Sequence, residues 1–217
     1  VFKRANFGKY YINTIIMTAG ILISEIMTGI LAAYGFSIGK FKGQNILFLI
    51  ILGALMIPIQ VTFIPIYIMF ADWGLTNTFL GLILPNTVSP YYIFMLRQTF
   101  LSVDNSYIEA ARVDGMGRLG VIFKILVPMC KSTIVTITLV SFTSGWNSYF
   151  WPKIIAKDEP RVLTIGLAHL KNTFAGQATM NNHEIMAGAV MAVLPVIILF
   201  FIFQKYMLTG YSKAAMK

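Results

Sequence analysis

Long apolar runs alternate along this chain with short polar connectors, and the length of the runs decides what they are. A helix crosses the hydrocarbon of a bilayer with about 20 mostly apolar residues. Five stretches meet that requirement: 10–38, 43–71, 73–96, 132–152 and 185–204. The first carries one acid, Glu25, and the second carries no charged residue at all. Pro58 and Pro65 in the second run, and Pro85 and Pro90 in the third, predict bends, because proline removes a backbone donor. The period-two alternation of a half-buried strand is missing from every run, and only helices or closed barrels cross lipid. The predicted fold class is therefore all-α and polytopic, with five spans that place the two chain ends on opposite sides. The whole chain, 1–217, reads as a single transmembrane domain with two long connectors, 102–131 and 153–184.

The connector 102–131 is the only place where charge, small residues and glycines gather in quantity. Ser106 followed by Glu109 has the spacing of a capping box and predicts a helix start. Gly115 and Gly117 can take the positive φ that ends such a helix and turns the chain. Beyond the turn, Leu119, Ile122, Phe123 and Leu126 recur at the spacing of one apolar helix face, closed by Pro128. The expectation is a pair of short helices at a membrane surface, the first polar and the second amphipathic.

Composition sharpens this reading. Of 217 residues, 57% are hydrophobic and only 12% charged, with a mean hydropathy of +0.75. Soluble domains average about 25% charged residues. The formal net charge of +9 is dispersed around apolar segments, which fits anionic lipid and an inside-positive topology rather than nucleic acid. The side holding Lys40, Lys42, Arg97, Arg112, Arg118, Lys124, Lys131, Lys205, Lys213 and Lys217 outweighs the other and is expected to be cytoplasmic. One cysteine, Cys130, excludes an intrachain disulfide. The Gly-x4-Gly-Lys-Ser/Thr nucleotide loop is missing, as are the Gly-x-Ser-x-Gly elbow and the zinc-protease helix, so ATP hydrolysis and intramembrane hydrolysis are not expected of this chain. His169 and His183, fourteen residues apart without cysteines, do not make a metal site.

The polar connector also carries a resemblance. Glu109-Ala110-Ala111, three residues, Gly115, nine residues, Ile125, then Val127-Pro128 resembles the signature loop of ABC importer permeases, with Val127 where leucine is usual. Asn13-Thr14, Leu31-Ala-Ala-Tyr34, Met56-Ile-Pro-Ile-Gln60, Gly74-Leu-Thr-Asn77, Gly81-Leu-Ile-Leu-Pro85, Leu96-Arg-Gln98, Trp146-Asn147 with Trp151-Pro152, and Ala187-Gly-Ala189 extend the similarity to the maltose-type carbohydrate branch. Ile59 departs from the glycine usual in the second-span motif. The resemblance implies the type I importer permease fold, a location in the bacterial or archaeal plasma membrane, and a further N-terminal span before Val1.

It also implies partners and sites. The loop would form a cytoplasmic coupling helix docking on a separate ATPase, with Ser106, Glu109, Ala110, Ala111, Asp114 and Gly115 as coupling residues. ATP and magnesium would belong to two ATPase subunits, and this chain would need no cofactor of its own. A second permease subunit, an extracytoplasmic solute-binding protein and a sugar, most simply an oligosaccharide, complete the system. Gln60, Asn86, Tyr91, Trp146, Asn147 and Tyr149 are candidates for the translocation path, since amides bond hydroxyls and aromatic rings stack on sugar C–H faces. Gly176, Gln177 and Asn181, at the small polar tip of the external connector, are candidates for binding-protein contact. The rival class is a secondary transporter or channel, which needs midplane ion sites. Glu25 is the one mid-span acid available to it.

Overall fold

The backbone of residues 7–174 and 182–214 is described by a computed structural model, with side-chain surroundings given for 7–169 and 186–204. The elements in order are α1 (Phe7–Ser37), α2 (Gln44–Ala54), α3 (Ile59–Asp72), α4 (Phe79–Ile83) running into a 3-10 turn (Leu84–Asn86), α5 (Pro90–Leu101) and α6 (Asn105–Val113). They continue with α7 (Arg118–Met129), α8 (Lys131–Trp146), α9 (Phe150–Ile155), α10 (Leu163–Phe174) and α11 (Asn182–Ala214). Among the described residues there is no strand. Among the described residues two helices are long and apolar enough to cross a membrane, and counting each of three bent pairs as one span gives up to five.

Three of the four prolines expected to bend the chain lie at or beside helix breaks, and the break between Met129 and Lys131 was not expected. Pro58 lies between α2 and α3, Pro85 sits in the 3-10 turn, and Pro90 opens α5, where its missing N–H costs nothing. The Ser89 hydroxyl caps that start by accepting from the Tyr92 N–H at 3.4 Å. Pro65 is tolerated inside α3.

By their internal contacts the residues form two compact units, and α1 gives its first part to one and its second part to the other. The first unit comprises 1–22, 60–85 and 141–202. Polar side chains lock its irregular segments. Asn13 Nδ2 donates to the Arg161 carbonyl at 2.8 Å, and the Leu163 N–H donates to the Thr14 hydroxyl at 2.8 Å. The Trp151 indole N–H donates to the Gly81 carbonyl at 2.9 Å, while its ring lies near Phe63 and Phe70. A Cβ at Gly81 would run into the Leu75 carbonyl, so this close approach requires glycine.

The second unit comprises 23–59, 86–140 and 203–217. Its core is an apolar cluster that includes Ile30, Leu96, Phe100, Ile122 and Leu126. Arg97 fastens the end of α1 by donating Nε–H to the Phe36 carbonyl at 2.8 Å, a cation at a helix C-terminus. Its guanidinium also lies 4.1 Å from the Phe48 ring centroid, so one side chain ties α1, α2 and α5.

Candidate coupling site

The signature residues lie on and after α6. Helix α6 starts two residues earlier than the Ser106 capping box predicts. Asp104 is the N-cap, accepting from the Ser106 N–H at 2.9 Å, and Ser106 is already helical. Aspartate caps as well as serine and adds a negative charge at the positive end of the helix. That hydrogen bond with the Ser106 N–H holds the Asp104 carboxyl below its ordinary pKa.

One face of α6 is seated and the other is open. Ile108 and Ala111 are buried in the apolar cluster, Ala111 at 5% exposure. Ser106, Glu109, Ala110, Asp114 and Gly115 are exposed. The expected coupling set thus divides. Ala111 packs inward against its own chain and is no contact surface, because at helical pitch it shares a face with Ile108, not with Ala110. Around the open residues, Tyr107 is 55% and Val113 87% exposed, an apolar fringe that sequence reading passed over. Their alternation with Ile108 and Ala111 was the available signal.

Of the two glycines expected to turn the chain, only Gly115 does so, with φ +78°. Gly117 has φ −69° and serves as the N-cap of α7. Helix α7 itself departs from the expected face. It is π-helical through Val121–Leu126, with hydrogen bonds stepping five residues instead of four. This carries Val121, Ile122 and Leu126 into the core and leaves Leu119 and Phe123 exposed. Pro128, which has no N–H to give, lies just beyond the altered stretch.

Residues 25–212 match the family described as binding-protein-dependent transport system inner membrane component. The chain belongs to this family. It is thereby a multi-pass protein of the inner membrane with the all-α type I importer permease fold. It is 33% identical over 219 residues to the melibiose/raffinose/stachyose import permease MelC of Bacillus subtilis, covering 99% of this chain and 78% of that one. It is 30% identical to the arabinooligosaccharides transport permease AraQ of the same organism, covering 96% of this chain and 73% of the relative. The crystal structure of a bacterial ABC transporter importing the acidic polysaccharide alginate contains a similar chain. The TM-score is 0.80 at 27% identity, over 92% of this chain and 75% of that one.

The other expected residues of this permease are scattered between its two units. Gln60, Asn147 and Tyr149 belong to the first unit and are exposed. Asn86 and Tyr91 belong to the second, half-buried and exposed respectively. The Asn147 side-chain amide donates to the Thr143 carbonyl at 2.9 Å, and the Lys153 ammonium lies 5.3 Å from the Tyr149 ring centroid. Trp146 departs from the expected set. It is 3% exposed, donates its indole N–H to the Ala192 carbonyl at 2.8 Å, and packs on Tyr11 and Phe142. A buried ring with its only donor engaged acts as a structural pin. Glu25 is buried and engaged. His169 is exposed. Gly176, Gln177 and Asn181 lie outside the described residues, and so does the side chain of His183.

Proposed function

We propose that this permease is one membrane subunit of an ATP-driven importer for an oligosaccharide, coupled to separate ATPase subunits through α6. The observation that carries the coupling role is the division of that helix. Its inner face is anchored in the apolar cluster, and its outer face presents Glu109, Ala110 and Asp114, with no ion pair or side-chain hydrogen bond for either carboxylate among the described residues. An exposed charged face rimmed by Tyr107 and Val113 fits a docked partner, where a polar rim and an apolar contact combine. On this reading α6 faces the cytoplasm. Closure of the ATPase pair on ATP draws it along, and the spans shift between two conformations through differential binding. The chain transmits motion and does no chemistry.

Substrate class rests on the relatives, whose printed names include two oligosaccharide permeases and an alginate importer. A relative from Yersinia pestis, 28% identical, is named for sn-glycerol-3-phosphate. Gln60, Asn86, Tyr91, Asn147 and Tyr149 are the proposed path residues. Connector 153–184 is the proposed contact for a solute-binding protein, with a second permease subunit completing the path.

The test is purification from the native membrane followed by reconstitution. The chain should co-purify with an ATPase and a second permease, and vesicles should take up labelled oligosaccharide only with ATP and the solute-binding protein. Uptake by the chain alone, driven by an ion gradient, would overturn the proposal. Uptake of sn-glycerol-3-phosphate in place of oligosaccharide would overturn the substrate class alone.

A further inference from the structure

One cavity in the second unit has a chemistry that transport coupling does not use. It measures about 720 Å³ and is lined by the end of α1 (Tyr34, Ile38), the connector to α2 (Lys40, Phe41), Arg112, and the start of α7 from Gly117. Its charged wall residues are Lys40, Arg112 and Arg118, and no acid lines it. Among the described residues, none of these three side chains has an ion-pair or hydrogen-bond partner. Gly117, the N-cap of α7, offers no side-chain acceptor to the N–H groups of the first turn.

Each of these features favours an anion. Three unpaired cations around one cavity repel each other, and an anion among them removes that cost. The open N–H groups of a helix start add donors and a favourable dipole. Guanidinium groups match the geometry of phosphate oxygens in particular. A volume within the ordinary range of small-ligand sites, roughly 300–1,000 Å³, exceeds the needs of a halide.

Position selects the source of the phosphate. Lys40 lies where α1 ends and before α2 begins, at the ends of two spanning segments, which is the depth of lipid headgroups, and the cavity brings Arg112 of α6 and Arg118 of α7 to the same place. Phe41 and Leu119, adjacent in sequence to Lys40 and Arg118, are 44% and 64% exposed. Aromatic and apolar residues beside cations are common where protein meets the interface. We propose that this cavity binds the phosphate of an anionic phospholipid headgroup, held by Lys40, Arg112 and Arg118. A bound headgroup would bridge the connector after α1 and the start of α7, making the seating of α6 sensitive to lipid composition.

The experiment uses the full chain in detergent, titrated with phosphatidylglycerol, phosphatidylcholine or inorganic phosphate and read by native mass spectrometry. Phosphatidylglycerol should be retained in preference to phosphatidylcholine. Lys40→Gln and Arg118→Gln should each weaken that retention about fivefold, as expected for one cation at a lipid surface, and the pair about 25-fold. Lys40→Arg should bind as the parent does, and so should Lys157→Gln, which removes an exposed cation of the first unit. Should the double variant fail to fold, the two single variants at exposed positions read the same effect. Undiminished phosphatidylglycerol binding in both single variants would overturn the proposal. So would an equal loss in Lys157→Gln, or tight binding of inorganic phosphate with no preference for phosphatidylglycerol.

Discussion

The irregular segment 161–163 of the first unit and the α6–α7 segment of the second treat polar groups in opposite ways. In the first, polar groups are spent inside the chain: Asn13 and Thr14 hold the backbone at 161–163, and the Trp151 indole N–H is given to the Gly81 carbonyl. In the second, Glu109, Arg112, Asp114 and Arg118 are exposed, and none has a side-chain partner among the described residues. A buried polar group left unmade costs about 1–3 kcal/mol, so irregular segments packed in a core must close their hydrogen bonds internally. Groups at a surface carry no such cost and stay available to another molecule. The first segment is thus built to hold a shape and the second to present a face.

The largest effect should come from breaking the internal locks. Trp151→Ala removes a ring that is 6% exposed together with its bond to Gly81, and should destabilise the first unit by about 3–5 kcal/mol. Thermal unfolding in detergent measures this, and a shift no larger than that of an exposed substitution such as Tyr149→Ala would contradict the lock.

Next comes the division of α6. Ala111→Trp overpacks the seat and should cost about 1–3 kcal/mol or more, with transport lost through misplacement of the helix. Ala110→Trp, one position away on the open face, should leave the unfolding midpoint unchanged and abolish ATPase association. Equal destabilisation by the two would erase the distinction between seat and surface.

Gly115→Ala is a smaller perturbation. Nothing lies within 4 Å of the added methyl group, so only the backbone at φ +78° opposes it, at about 1–2 kcal/mol. Faster hydrogen exchange confined to the turn between α6 and α7 is the expected signature.

The smallest effect is the pH dependence of the α6 cap. The folded Asp104 has a lowered pKa, so its contribution is present above the unfolded-state value and is lost as pH falls through the folded one. Acidification below the ordinary aspartate range should therefore increase exchange at the start of α6. Asp104→Asn, which caps without titrating, should flatten that response.

How much of this was legible beforehand depended on the range of the physics involved. The five apolar runs, the proline breaks and the existence of a polar helix followed by a glycine turn were determined by the sequence alone. Each rests on local chemistry: hydropathy over one span, a missing N–H, a side chain without Cβ. Tertiary structure decided the rest. Asp104 won over Ser106 as the cap, although both are competent, because the helix starts where its inner residues Ile108 and Ala111 meet the cluster. The π-helical register of α7 replaced Leu119 and Phe123 with Val121 in the core, which no fixed helical period could show. Trp146 read as a sugar-facing aromatic until Ala192, distant in sequence, supplied its acceptor. Arg97, Lys40, Arg112 and Arg118 carry the same charge in the sequence, yet packing bonds the first to Phe36 and lines a cavity with the other three. That difference arises from contacts between residues tens of positions apart, and composition and spacing do not encode it.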